Sequence, residues 1–560
     1  MRIRFGLIPV ATIVLPFSSA HPTSEEHTRV DLGYSTYEGI QLSNGVRQFL
    51  GMRYAAPPLG NDRFRRPREP VKARGIIPAK KHGAVCYGVQ GLAFRSAPVP
   101  LAEDCLFIDV YTPSNSDGTR PSPETREGLP VLVWLQGGAF VQLFNPNYNG
   151  TGIVEASRGK AIVVSFNYRV GPYGFLANED LRKEGNLNVG LHDQRFAMSW
   201  VQKHIKAFGG DPNRVTLFGT SVGAGSILLH TVAYEGEPPS PDNARWNAGI
   251  APAVYIPSVF NISDLEFESR ALLAATNCTS IACLRSLDSE TIQRANIANP
   301  YPGQSQVALF PYAPVIDDDL FTDRPQNLLK AGKFARHRPL IIGSSHSEGT
   351  LFAPQADLTA DIDSFLKRQF PALTEADLNT ASYLYETVNS TIPGVTAPQS
   401  AQFYKAAEIY GDVSFNCPTL QFTTQLSKAG AEVYYFRNNI IDPVEYAAGY
   451  LVPHTWEVQA AWGPEYAVNY VALPNATSYD IGGANRKAVE QVQDIWIGFS
   501  SNSSGWQSGN GQMNSPAWVP FNSTQQRLRL QTNATVLERV SRVELERCAF
   551  WSSISARTFI

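Results

Sequence analysis

A serine hydroxyl attacks a carbonyl only where the backbone presents it and a nearby base removes its proton. Gly219-Thr220-Ser221-Val222-Gly223 can present one. A turn sharp enough to project the Ser221 hydroxyl leaves no room for bulky neighbours, and the flanking glycines meet that demand. The run Arg214-Val215-Thr216-Leu217-Phe218 reads as a strand before the turn, and Ile227-Leu228-Leu229-His230 as a helix after it. Ser221 then sits at a helix N-terminus, where partial positive charge favours a developing anion. A glycine-rich turn without chemistry would use the same letters, and it is the strand before and helix after that favour a nucleophile. A second small-residue turn, Gln136-Gly137-Gly138-Ala139-Phe140, follows another apolar run. Two backbone N–H groups there, with that of Val222, could bind the oxygen of a tetrahedral intermediate.

The base must be a histidine, and the chain has nine. His21 and His27 are N-terminal. His82, His204 and His337 have basic neighbours and read as exposed. His192 and His230 fall on helices, and His346 and His454 in loops after strands. Where a serine elbow caps a parallel sheet, the order along the chain is serine, acid, histidine. That order selects His454. The acid must lie between the two. Glu348, in Gly343-Ser344-Ser345-His346-Ser347-Glu348-Gly349, ends a strand and leads a field that includes Asp317, Asp318 and Asp319.

These residues need a rigid frame. Val131–Leu135, Ile162–Phe166, Arg214–Phe218, Leu340–Ile342 and Val433–Phe436 are short, almost wholly apolar runs, as in parallel strands covered on both faces. Between the second and third, Phe196, Trp200, Val201 and Ile205 recur at helical spacing over Asp193 to Phe208. Strand, helix and strand form a crossover unit. We expect an α/β fold of the α/β-hydrolase type. Its central sheet should be large and mostly parallel, with helices on both faces and long insertions. Ligands bind beyond the carboxyl ends of such strands, where both glycine turns fall.

Composition narrows the class. The 560 residues carry a net charge of −3, with 43% hydrophobic and 17% charged residues. This balance argues against nucleic acid as a partner. The short cluster Arg63, Arg65, Arg66, Arg68 reads as solvated or locally paired. Arg2 and Arg4, an apolar stretch to Phe17, and Ser18-Ser19-Ala20 make residues 1–20 a signal peptide, leaving 21–560 as one domain. The stretch is too short to serve as a stable membrane anchor. Eight sequons, at Asn149, Asn261, Asn277, Asn389, Asn475, Asn502, Asn522 and Asn533, suit a secreted glycoprotein. Six cysteines suggest disulfides and allow fifteen connectivities; nearest neighbours pair Cys86 with Cys105 and Cys278 with Cys283, leaving Cys417 with Cys548. No spacing suggests a metal, and no cofactor is expected.

Taken together these segments resemble the type B carboxylesterase and cholinesterase family, with fungal secreted carboxylesterases and lipases nearest in character. Phe49-Leu50-Gly51-Met52-Arg53-Tyr54-Ala55-Ala56-Pro57-Pro58-Leu59-Gly60 is similar to its N-terminal signature and Glu103-Asp104-Cys105-Leu106 to its second. Gly185-Asn186-Leu187, Asp193-Gln194-Arg195 and Phe208-Gly209-Gly210-Asp211-Pro212 lead into the elbow. The resemblance implies Ser221 as nucleophile, Glu348 as acid and His454 as base, the last within a His-x-x-Glu stretch ending at Glu457. It implies Gly138, Ala139 and Val222 as oxyanion donors, supports the three disulfides, and implies a buried Arg63–Glu103 ion pair. The chain departs from the family at Thr220 (usually Glu), Val222 (usually Ala) and Ala139 (usually Gly). Ile250-Ala251-Pro252-Ala253-Val254 lacks the usual Ser-Gly. Val222 should crowd the acyl group, and the other changes should loosen the support of the site.

The expected activity is hydrolysis of uncharged carboxylic esters through an acyl-serine. The Cys86–Cys105 loop holds Leu92, Phe94, Val99 and Leu101 but no Trp, so the aromatic cation site of a cholinesterase is not apparent there. Two other readings use the same frame: an acyltransferase or lactone-processing enzyme of secondary metabolism, and a weakly active or inactive binding protein. The sequence leaves oligomeric state open.

Overall fold

The computed structural model describes residues 28–92, 99–114, 128–143, 148–237, 243–388, 390–467, 477–502, 506 and 516–560. Residues 1–20, expected to be a signal peptide, lie outside the described residues, as do Phe94 and the sequons at Asn389 and Asn475.

Eleven strands form the central sheet. In chain order they are β1 (Ile40–Gln41), β2 (Val46–Arg53), β3 (Phe107–Pro113), β4 (Leu129–Leu135), β5 (Ile162–Phe166), β6 (Gly210–Gly219), β7 (Ala248–Ala251), β8 (Leu340–Ser345), β9 (Val433–Asn438), β10 (Gln526–Leu530) and β11 (Val536–Arg539). Across the sheet they run β11-β10-β9-β8-β7-β6-β4-β5-β3-β2-β1. The block from β10 to β5 is parallel, and β11, β3, β2 and β1 are antiparallel to their inner neighbours. The sheet is therefore mixed and mostly parallel, and all five apolar runs lie in its parallel block. Smaller strands at Arg29–Asp31, Thr36–Glu38 and Ile76–Pro78 form a separate sheet.

The apolar runs are continuous because both faces are covered. On β4, Val131, Val133 and Leu135 enter one core while Leu132 and Trp134 enter the other. The first core is closed by helices α1 (Val189–His204), α2 (Val222–Val232) and α4 (Cys417–Lys428), with α3 (Ala401–Gly411) beside them. The second is closed by α5 (Arg486–Ser501) through Val489, Val492 and Trp496. Trp134 there packs against Phe218 and Trp462, with ring centroids 4.7 and 5.1 Å away. Each such fully buried side chain stabilises the fold by about 1.5–3 kcal/mol.

From β4 the chain passes to β5 on one side, then through α1 to β6 on the other side of β4. Strand order reverses there, so the loops after β4 and β6 diverge and leave a crevice. Both glycine turns open into it.

Disulfides join Cys86 to Cys105, Cys278 to Cys283 and Cys417 to Cys548. Arg63 and Glu103 form a buried ion pair at 2.5 Å, and Arg66 and Arg68 pair with Asp319 and Asp62. Of the three histidines read as exposed, His337 is exposed and His82 is half-buried. His204 is buried, not exposed: it ends α1 on the inward face and packs on Trp200, ring centroids 5.2 Å apart. Burial, then Lys203, pushes its pKa down to about 4. Among the described residues no helix is long and apolar enough to cross a membrane.

Candidate active site

Ser221 caps the N-terminus of α2 with φ 57° and ψ −131°, a strained conformation for a residue with a side chain. Close packing imposes it. A Cβ on Gly223 would lie 2.0 Å from the Leu135 carbonyl oxygen, and one on Gly219 would lie 2.7 Å from that oxygen. A Cβ on Gly225 would meet the Tyr255 carbonyl at 2.0 Å. The turn thus presses on the end of β4, and glycine alone fits at these three places.

The β4 turn lies alongside. A Cβ on Gly137 would come within 3.0 Å of Ser221 Cβ. Gly138, Ala139 and Phe140 follow with φ of 113°, 54° and 60°. This left-handed run turns successive N–H groups to one side, a concavity suited to an anion. The N–H groups of Gly138 and Ala139 donate to no described acceptor. Val222 opens α2, so its N–H has no intrahelical acceptor. Its side chain is fully buried in the core.

Glu348 leaves the end of β8 in a single 3₁₀ turn, Glu348–Leu351. A Cβ on Gly349 would meet the Ala407 carbonyl at 1.9 Å, so Glu348 can be followed only by glycine if α3 is to pack there. One Glu348 oxygen accepts the Ser345 N–H, and the other accepts from His454 Nδ1. The histidine loop is tied to this turn twice, by Ser347 N–H to the Val452 carbonyl (2.9 Å) and Thr350 Oγ1 to the Tyr450 carbonyl (2.8 Å). Leu451 (φ 62°) and Thr455 (φ 63°) bend the backbone on both sides of His454.

Those constraints fix the imidazole. With Nδ1–H committed to Glu348, Nε2 keeps its lone pair. That nitrogen is buried and has no hydrogen-bond partner among the described residues. Phe352 and Phe415 flank the ring at 5.2 and 4.7 Å. Phe415 comes from a π-helical turn, Asp412–Asn416, that joins α3 to α4. His346, the other late loop histidine, meets Ser347 Oγ through Nδ1 at 3.0 Å and lines a cavity of about 620 Å³ with Glu348, Glu408, Arg437 and Arg547. Asp317 binds the Phe321 N–H and Asn188, and Asp319 pairs with Arg66, which leaves Glu348 as the acid on His454.

The profile of the Carboxylesterase family matches residues 26–551. The chain belongs to this family. It is accordingly a hydrolase of carboxylic esters of the carboxylesterase and lipase kind. A cholinesterase from Mus musculus is 29% identical, covering 97% of this chain and 89% of its own. Lipase 1 from Geotrichum candidum is 31% identical over 70% of this chain and 76% of the lipase. The crystal structure of Aspergillus niger EstA superposes with a TM-score of 0.85 at 34% identity, covering 95% of this carboxylesterase and 99% of EstA. Among the described residues no cluster of His, Cys, Asp or Glu could hold a metal ion.

Reading the sequence missed some of what surrounds the site. Phe352 and Phe415 carry no local signal. A further carboxyl, Glu457, is completely buried, in contact with Thr220, Ser345 and Asn438. Only its place in the His-x-x-Glu stretch pointed to it.

Proposed function

We propose that this carboxylesterase is a secreted serine enzyme, working as a single domain over residues 21–560, that hydrolyses uncharged esters through an acyl-Ser221 intermediate. The observation that carries the reading is the His454 imidazole, with Nδ1–H held by Glu348 and Nε2 buried and open. Nε2 takes the Ser221 proton as Oγ attacks the ester carbonyl. Glu348 steadies the imidazolium. The N–H groups of Gly138, Ala139 and Val222 bind the oxyanion, each worth about 3 kcal/mol in the transition state. His454 returns its proton to the departing alcohol, and water repeats the sequence on the acyl-enzyme. The Phe352 and Phe415 rings exclude water from the imidazole and favour an apolar substrate.

Secretion is supported by the three disulfides. The sequons at Asn261, Asn277, Asn502, Asn522 and Asn533 are exposed, as glycosylation requires, and Asn149 is partly so.

The test is hydrolysis of short and medium p-nitrophenyl esters by the secreted protein and by Ser221→Ala. Turnover by the wild type alone is expected. Ester products in place of acid when an alcohol acceptor is added would turn the reading to acyl transfer. A folded wild type no faster than Ser221→Ala on either ester would turn it to a binding protein.

A further inference from the structure

Two carboxyls are buried in one site, and only one of them has a basic side chain as its partner. Glu348 faces His454. Glu457 pairs with no Lys, Arg or His among the described residues, and its hydrogen-bond neighbours are neutral. One of its oxygens lies 3.3 Å from Thr220 Oγ1, and the other lies 3.5 Å from both Ser345 Oγ and Asn438 Nδ2. Thr220 directly precedes Ser221. Ser345 is the residue whose N–H holds Glu348. One side chain thus bridges the nucleophile's turn and the strand that carries the acid.

Counting protons shows which form fits. Thr220 Oγ1 also lies 3.5 Å from the Pro252 carbonyl oxygen, which can only accept. A carboxylate can only accept as well, so an ionised Glu457 and Pro252 would compete for the single Thr220 hydrogen. A protonated Glu457 donates to Thr220, Thr220 donates to Pro252, and every group is satisfied. A second buried anion beside Glu348, with no cation of its own, would also be costly.

We propose that Glu457 is held as a neutral acid and is a positioning residue, its proton tying Thr220 of the elbow to the β8 end that holds Glu348. This rests on reading Ser221, Glu348 and His454 as the triad. Burial first, and the Glu348 charge second, push the Glu457 carboxyl up to about 8. Tyr479 also faces it and supplies no positive charge, and His454 is already committed to Glu348. Above that pH Glu457 loses the proton it donates, Pro252 loses its donor, and the elbow loses its tie. Activity falls along an alkaline limb that belongs to Glu457.

Two measurements test this. The infrared difference between wild type and Glu457→Gln should contain a protonated-carboxyl C=O band at mildly acidic pH that titrates away near pH 8. Thr220→Val, which leaves the acid in place, should keep that band and shift it. In the pH profile of kcat/KM, Glu457→Gln can still donate to Thr220; it should keep activity within about threefold and lose the alkaline limb. Glu457→Ala should fall by about tenfold or more. Absence of the band, or Glu457→Gln falling as far as Glu457→Ala with the limb unchanged, overturns the proposal. A band without any turnover by the wild type would sink the triad reading and leave the neutral acid standing.

Discussion

Among the described residues, two histidine–carboxylate pairs are built alike. His82 Nδ1 meets Asp109 Oδ2 at 2.8 Å, and the other Asp109 oxygen accepts the Gly51 N–H. His454 Nδ1 meets Glu348, and the other Glu348 oxygen accepts the Ser345 N–H. The surroundings differ. The His82 side chain keeps 27% of its surface open, against 6% for His454, which lies between two phenylalanine rings. Asp109 lies on β3, outside the parallel block and two strands away from β4. A histidine oriented by a carboxylate is thus a common structural device. The reading of His454 as the base rests on what sets its pair apart: deeper burial and an Nε2 with no hydrogen-bond partner among the described residues.

The sharpest way to break the comparison is to remove the same charge from each pair. Glu348→Gln should lower kcat by about 10⁴-fold with the fold intact, because the wrong imidazole tautomer is favoured. Asp109→Asn should leave kcat alone and cost about 1–3 kcal/mol of stability. Ester kinetics and urea unfolding on both variants decide it. Equal losses of kcat would mean that the His82 pair belongs to the site after all.

The next largest effect tests the serine's side of the crevice. Gly223→Ala drives a Cβ to 2.0 Å from the Leu135 carbonyl. Backbone cannot yield there without moving β4 from β6, so a loss of about 3 kcal/mol or more is expected, seen as a lower unfolding midpoint and a lower secreted yield. A stable, active Gly223→Ala would show that the elbow is looser than its packing indicates.

A smaller effect belongs to His82 alone. Burial would lower its pKa, but the Asp109 charge and hydrogen bond override this and hold it above the ordinary 6.5. Such a group stabilises the fold fully below its unfolded value, and the contribution is lost as pH rises through the folded value. Thermal unfolding of the wild type should therefore lose stability relative to His82→Gln as pH climbs from 6.5. Parallel pH curves for the two proteins would contradict the assignment.

The contrast also explains what could be read from the sequence. The elbow was legible because its constraint is steric and local, so it is written as glycines at fixed offsets. The parallel strands were legible because burial on both faces makes them uniformly apolar. β7 escaped because Ala-Gly-Ile-Ala is too small to stand out, and its glycine faces Ile227 and Leu340 side chains. The edge strands escaped because they are short or half exposed. α1 begins at Val189, four residues before Asp193, because Asn188 takes a left-handed conformation at φ 51° and starts it early. Glu348 stood out among many acids through the strand that precedes it and through the family resemblance. The Glu457 contacts could not be found at all, since they join residues 220, 345, 438 and 457, which no local pattern connects.

The smallest predicted effect concerns Ala139, where the family usually has glycine. At φ 54° an alanine is strained by about 1–2 kcal/mol, while glycine would cost about 0.5–1 kcal/mol in unfolded-chain entropy. Strain relief narrowly wins, so Ala139→Gly should stabilise the protein by up to about 1 kcal/mol. The donor is a backbone N–H and survives the change, but a glycine there holds it less firmly. Preorganised donors lose value when they can move, so kcat should fall slightly, by about two- to threefold. Unfolding and kinetics together read both signs. Destabilisation by more than 1 kcal/mol would mean that the turn gains more from the Ala139 methyl than it loses to the left-handed backbone, and that glycine's prevalence in the family has a cause other than this φ.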